Sequence, residues 1–296
     1  MGTVNGMISQ AQRERLFYIE FRLRFFGVIN RQDMELRFEV RPAAATRDFR
    51  LYKELAPGNL VYDAYRKAYI ATEAFKPSFD ISSEQAITGL CLGLGDDAVA
   101  RAPALLSSDS PRVFQGPHLD TLERLSRAVY QQTPVQIRYY SISNGLVDRQ
   151  LVPHAFIDCG ARWYVRGFDR QQGAFRDFVI NRIVSTACDA SAVMEREMQN
   201  ADGRWQGKAI LELEPHPALK HPGAVAAEYR MSAGVLRLKV RQAMAGYLLN
   251  LWRVDCSPGK GLDPHQHPLA LRNADEVCDL IDLDFAPGYH NSLDKE

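Results

Sequence analysis

Turn signals at Asn144-Gly145, Asp158-Cys159-Gly160 and Gln171-Gln172-Gly173 cut the stretch from 135 to 183 into pieces too short for helices and rich in β-branched and aromatic residues. An antiparallel meander is the fold open to such a stretch. Strands are expected near 135–140, 149–154, 156–158, 162–169 and 175–180, with the spacing of a small β-barrel. Side chains alternate along a strand, so Arg162, Tyr164, Arg166 and Phe168 point to one side while Trp163 and Val165 point to the other. Arginine forks beside aromatic rings suit phosphate and base together, which makes this face a candidate pocket for a nucleotide-like ligand.

A chain of 296 residues has room for about two or three domains. Its formal charge is zero, with 36 basic and 36 acidic side chains, yet the charge is segregated. Residues 1–76 carry 13 basic and 9 acidic groups, 77–119 carry 2 and 5, 120–187 carry 9 and 6, and 188–296 carry 12 and 16. All nine basic groups of the third segment are arginine, which favours directed recognition over diffuse attraction. The five cysteines are scattered, with no C-x-x-C pair, so reduced thiols and a cytoplasmic location are expected. No apolar run reaches the length of a membrane span, and no membrane partner is expected.

In the first segment, Leu16, Ile19, Leu23 and Phe26 fall at helical spacing, with Gly27 as a stop. Asn30, with an acid three residues on, starts a short second helix, and Pro42 leads into a third over 43–55. Alternation over 60–71 then reads as a hairpin with a basic tip. Three helices and a hairpin are the order of a winged helix-turn-helix, whose third helix enters the major groove while the wing meets the backbone. On that reading Ala43 and Ala44 permit close approach, Arg41, Thr46, Arg47 and Arg50 contact base edges or phosphates, and Arg66 and Lys67 neutralise phosphates. The bland alternative is a set of solvated charges on an amphipathic helix.

Residues 77–118 are rich in glycine and proline and read as a linker, with a short helix from Ser82 or Ser83 carrying Ile87, Leu90 and Leu94. A helix bearing Leu119, Leu122, Leu125 and Val129 precedes the meander. Beyond 188, strands over 210–214 and 235–240 and helices over 221–229 and 243–254 make a small α+β unit. His216 and His221, and Asp263 with His265 and His267, lack thiolate partners or an H-E-x-x-H helix, so they are read as solvated loop residues and no metal is expected. No cofactor is expected either.

The central residues carry a family resemblance. Trp163-Tyr164-Val165 stands where WYL-domain proteins have Trp-Tyr-Leu, with Pro153-His154 before it and Phe175-Arg176-Asp177-Phe178 and Asn181-Arg182-Ile183 after it. That set, with the winged-helix pattern and the wing run 59–69, resembles the WYL transcription factors of phage-defence islands, the BrxR and CapW type. The resemblance implies an α+β chain: a winged helix-turn-helix over 1–76, a linker over 77–118, an SH3-like or Sm-like WYL β-barrel over 119–187, and a C-terminal α+β dimerisation unit over 188–296. It also implies a ligand pocket at Tyr139, His154, Arg162, Tyr164, Arg166, Arg176 and Arg182, with Trp163 and Phe178 filling the core. The expected partners are an operator duplex, a nucleotide or oligonucleotide effector, and a second copy of the chain. Against this stands the possibility that pairs such as Arg176 with Asp177, or Arg182 with Asp169, only brace the sheet.

An enzyme would need a nucleophile with a base, paired acids or a metal cluster beside the arginines, and none is visible. His154 as the base of a phosphodiesterase, and a nucleic-acid sensor without a promoter role, are the alternatives to a homodimeric repressor.

Overall fold

The computed structural model describes residues 8–92, 116–160 and 162–289. The chain divides into two compact units, one of residues 1–157 and 161–193 and one of 158–160 and 194–296.

The first unit begins with α1 (Gln10–Phe26), capped by the Ser9 side chain and ended by Gly27 at φ 78°. The short strand β1 (Val28–Ile29) follows, then α2 (Arg31–Phe38), opened by a capping box between Asn30 and Asp33. Next come α3 (Pro42–Leu55), β2 (Leu60–Asp63) and β3 (Ala68–Ala71). The hairpin is joined by a strand that periodicity did not announce: β1 pairs with β3, giving the order β1-β3-β2. Leu16, Ile19 and Leu23 of α1 pack with Met34, Phe49 and Tyr52 in one core.

After α4 (Ser83–Leu92) and α5 (Leu119–Gln131) comes the meander: β4 (Val135–Ser141), β5 (Gly145–Asp158), β6 (Trp163–Asp169), β7 (Ala174–Val179) and β8 (Ile183–Cys188). The expected linker is partly core, since Ala86 and Ile87 are fully buried; Leu94 lies outside the described residues. The sheet runs β7-β6-β5-β4-β8 and is open, so the closed barrel of the sequence reading is not what the pairing gives. Between its two edge strands the chain makes a 3-10 turn over Ile180–Arg182 in place of a closing ladder.

At Gly167 the backbone of β5 leaves no room for a side chain on β6. A Cβ there would lie 2.4 Å from the Val152 carbonyl oxygen and 2.7 Å from the Pro153 Cα, both backbone atoms that cannot rotate away. Gly167→Ala is expected to cost roughly 1–3 kcal/mol through overpacking. A thermal midpoint equal to that of the unaltered chain would show that the strands spread freely.

Helix α1 belongs to two cores. While Leu16, Ile19 and Leu23 face the winged-helix core, Phe17, Phe21 and Phe25 pack with Ile87, Leu122, Leu125, Ile137, Trp163 and Val165 under the five-stranded sheet. Helix α5 also satisfies the last carbonyls of α1. Arg127 Nε donates to Arg24 O at 2.8 Å and its Nη2 to Leu23 O at 3.3 Å. Ser126 Oγ donates to Phe25 O at 2.9 Å and Gln131 Nε2 to Phe26 O at 3.1 Å. Carbonyls that a helix end leaves unpaired are thereby bound by a neighbouring helix. The Arg24–Glu123 ion pair, at 2.5 Å, adds to the joint.

The second unit holds α6 (Gly203–Gln206), β9 (Lys208–Pro215), α7 (Pro222–Glu228), β10 (Leu236–Arg241), α8 (Gln242–Leu251), β11 (Val254–Asp255), β12 (Leu269–Leu271) and α9 (Ala274–Val277). Its sheet runs β10-β9-β12-β11, with only the β11–β12 pair parallel. Ala245 and Leu249 of α8 fill the core beneath it, whereas Leu251 at its end is exposed. His216 corrects the solvated-loop reading. It is 0% exposed, with Nε2 3.1 Å from Asp255 Oδ2, and its Nδ1 accepts from the Ala218 amide at 3.2 Å. Burial works against ionised Asp255, but hydrogen bonds from Ser257, Leu262 and His216 hold its pKa below the usual carboxylate value.

Candidate functional site

Helix α3 sorts its residues by side. Ala45, Asp48, Phe49 and Tyr52 are buried, whereas Arg41, Ala43, Thr46, Arg47, Arg50 and Lys53 are exposed and Ala44 is half-buried. Buried Asp48 anchors the helix to α1, accepting from Arg15 Nε at 2.6 Å and Gln12 Nε2 at 3.2 Å. The inner face is pinned and the outer row is open to solvent. Thr46 Oγ1 donates to Pro42 O at 2.9 Å, which stiffens the first turn. Arg50 pairs with Glu54 at 3.1 Å, but both side chains are mostly exposed and such a pair is weak. Lys53 was missed in the sequence, although it falls in the same exposed row.

At the wing tip, Asp63 Oδ1 accepts from the Tyr65 and Arg66 amides at 2.8 and 3.0 Å, shaping a turn that Lys67 completes at φ 51°. Arg66 and Lys67 are exposed at this tip. Tyr65 is 96% exposed and was also missed, since the pattern weighed only charges there.

A buried carboxylate ties the third helix to the chain leaving the wing. Glu20 Oε1 accepts from the Ser78 and Phe79 amides, both at 2.8 Å, and Oε2 accepts from the Tyr52 hydroxyl at 2.9 Å. Asn59 extends the network by donating to Tyr52 Oη at 3.0 Å and exchanging hydrogen bonds with the Lys76 backbone. Burial raises the Glu20 pKa, and the three hydrogen bonds oppose that rise. Burial and the neighbouring carboxylate push the Tyr52 hydroxyl far up, so it remains a donor.

The arginine and aromatic residues of the meander do not form one cluster. In the β6–β7 register Arg166 lies opposite Asp177, and their side chains pair at 2.8 Å; Phe168 lies opposite Phe175, with ring centroids 5.2 Å apart. His154 approaches the same Phe175 ring, with centroids 5.7 Å apart, on the face of the sheet that Tyr164, Arg166 and Phe168 share. Arg166 is 5% exposed, and its partner is Asp177 rather than open solvent. Arg176 lies opposite Gly167, which puts it on the other side of the sheet from Arg166 and Tyr164. Tyr139 is a core residue, edge-on to Phe178 at 5.1 Å, and Trp163 and Phe178 lie in the same core. Exposed Arg162 precedes β6, and half-buried Arg182 sits in the turn after β7. The bracing pairs differ from those expected: Asp177 holds Arg166 and Asp169 holds Arg149, at 3.4 Å.

Among the described residues, no helix is long and apolar enough to cross a membrane, and no group of three metal-binding side chains converges.

Comparison with known proteins gives three family matches along the chain. The BrxR transcriptional regulator winged helix-turn-helix domain matches residues 11–87, the WYL domain 120–187, and the BrxR transcriptional regulator C-terminal dimerization domain 208–277. A DNA-binding transcriptional repressor CapW of Escherichia coli is 30% identical over 282 residues, covering 91% of this chain and 92% of the relative. Repressors of the same name from Pseudomonas aeruginosa and Stenotrophomonas maltophilia are each 29% identical, over 279 and 284 residues. They cover 91% and 92% of this chain, and 92% and 93% of the relatives.

Proposed function

The chain belongs to the CapW family of WYL-domain transcriptional repressors, and on that premise we propose that it is a homodimeric repressor of a phage-defence operon. Its α3 row and wing read an operator duplex, and its WYL sheet senses a nucleotide or oligonucleotide. The observation that carries the DNA reading is the division of α3. Its inner face is locked by Asp48, Phe49 and Tyr52, while Arg41, Ala43, Thr46, Arg47 and Arg50 stand exposed. A fixed helix with an arginine row suits base edges, and the basic wing tip suits phosphates.

For the sensor, His154, Tyr164 and Arg166 form the centre of the site, with Asp177 orienting the Arg166 fork. Arg162 and Arg182, at the ends of the β6–β7 pair, reach outward to the ligand. The central sheet is read as an SH3-like barrel left open at the Ile180–Arg182 turn.

Arg47→Ala and Arg50→Ala test the DNA reading. Each is expected to weaken binding to the promoter of its own operon by roughly 1–3 kcal/mol where the arginine reads a base. Fluorescence anisotropy at matched salt measures it. Unchanged affinity in both variants would remove α3 from the reading role. Neither substitution touches the core, so the thermal midpoint serves as a control.

A further inference from the structure

A groove of about 470 Å³ is lined by Gln136, Arg138, Asp148, Gln150 and Ser185 on the side of β4 turned away from the core, together with Arg149 and Ile137, which stand opposite each other on the alternate positions of β5 and β4. None of the residues of the His154–Tyr164–Arg166 site lines it. Its volume lies in the range of small-ligand sites. Gln136 and Arg138 are two residues apart on one strand, so their side chains leave the same face about 7 Å apart. They stand in register with Gln150 and Asp148 on β5, and Arg138 faces Ser185 on β8. The wall is also fixed in place. Gln150 Nε2 donates to Asp189 and, at 3.3 Å, to Ser191 Oγ, while Arg149 Nη1 donates to Asp148 O at 3.1 Å.

Charge selects the class of ligand. Arg138 Nε lies 4.0 Å from Asp148 Oδ1, and Arg149 Nε lies 3.4 Å from Asp169 Oδ2. Each guanidinium has a carboxylate beside it, so the groove presents little net field to a phosphate. What it offers is hydrogen bonding without charge. The Gln136 side chain is exposed and presents a donor and an acceptor side by side, the pattern that pairs with the edge of a base. Arg138, more than half exposed, offers a planar face on which a ring stacks. We infer that this groove binds a neutral planar heterocycle with adjacent donor and acceptor groups, the chemistry of a nucleobase, and that it does so without a phosphate contact.

The test is calorimetric titration of the full chain, without DNA, with adenosine, guanosine, cytidine and uridine and then with their 5′-monophosphates. At least one nucleoside is expected to bind saturably, about ten-fold more weakly in Gln136→Ala and in Arg138→Ala, and its monophosphate to bind within about three-fold of it. Both side chains are exposed, and unchanged thermal midpoints will show that the variants fold. Failure of all four nucleosides to bind at millimolar concentration overturns the inference. So does binding that both variants retain, or binding seen with the monophosphates alone. Because no DNA is present, the result stands apart from the operator reading.

Discussion

Replacing Phe21 by alanine is expected to loosen the winged helix and the five-stranded sheet together, at a cost of roughly 3–5 kcal/mol. Phe21 is buried on α1, with ring centroids 4.7 Å from Phe25 and 6.1 Å from Phe17, in the core that the sheet shares with α4 and α5. The opposite face of the same helix fills the winged-helix core through Leu16, Ile19 and Leu23. A rigid helix cannot tilt toward a cavity on one side without withdrawing from its contacts on the other. Because proteins of this size hold only about 5–15 kcal/mol of net stability, the loss is a large fraction of the whole. Hydrogen exchange should therefore show faster amide exchange in α3 as well as in β4. Loss of protection in β4 alone would mean that the two cores open separately. By the same physics, a fragment ending at residue 76 exposes Phe17, Phe21 and Phe25, so the full chain is the proper subject of DNA-binding measurements.

The sharing of α1 was beyond the reach of periodicity. Leu16, Ile19 and Leu23 mark one stripe at helical spacing, and that stripe announced the helix and its place in a three-helix array. Phe17, Phe21 and Phe25 make an equally regular second stripe, but a pattern does not say which distant segment will cover it. Caps and turns were legible because their chemistry is local: Asn30 with Asp33, Pro42, Gly27 and the Asn144-Gly145 turn act on their own neighbours. At the central sheet, alternation set Trp163 and Val165 on the side away from Arg162 and Arg166, and the family resemblance gave Trp163 and Phe178 to the core, where all three lie. Alternation did not group the arginines, because their grouping depends on cross-strand register. Arg176 opposite Gly167 and Arg166 opposite Asp177 fall on different sides, and no local rule distinguishes them before the strands are aligned. Tyr139 entered the pocket set through the family resemblance, and its packing partner Phe178 lies on a different strand. His216 was misread for a similar reason. A proline-flanked histidine reads as a loop residue until Asp255, far along the chain, is brought to it.

Glu20→Ala should be the most damaging substitution of a polar residue in the winged helix. It strips the acceptor from the Ser78 and Phe79 amides and from the Tyr52 hydroxyl at once. Each buried donor left unpaired costs about 1–3 kcal/mol, so a loss of roughly 3–5 kcal/mol is expected, read as a fall in the thermal midpoint. Operator affinity should fall with it, since Tyr52 belongs to the helix that carries Arg47 and Arg50. Glu20→Gln separates geometry from charge. The amide oxygen can still accept from Ser78 and Phe79, whereas the amide nitrogen meets the Tyr52 hydroxyl as a donor and leaves that hydroxyl proton without its acceptor. Burial raises the Glu20 pKa above its ordinary 4.5, so the folded chain keeps this proton over a range where the unfolded chain has lost it. The contribution to stability is complete below 4.5 and declines as pH rises through the folded value. Glutamine does not titrate. The midpoint of the unaltered chain should therefore exceed that of Glu20→Gln by most at acid pH, with the gap narrowing toward neutrality. A gap that stays constant or widens with pH would mean that Glu20 is held by its hydrogen bonds strongly enough to cancel its burial.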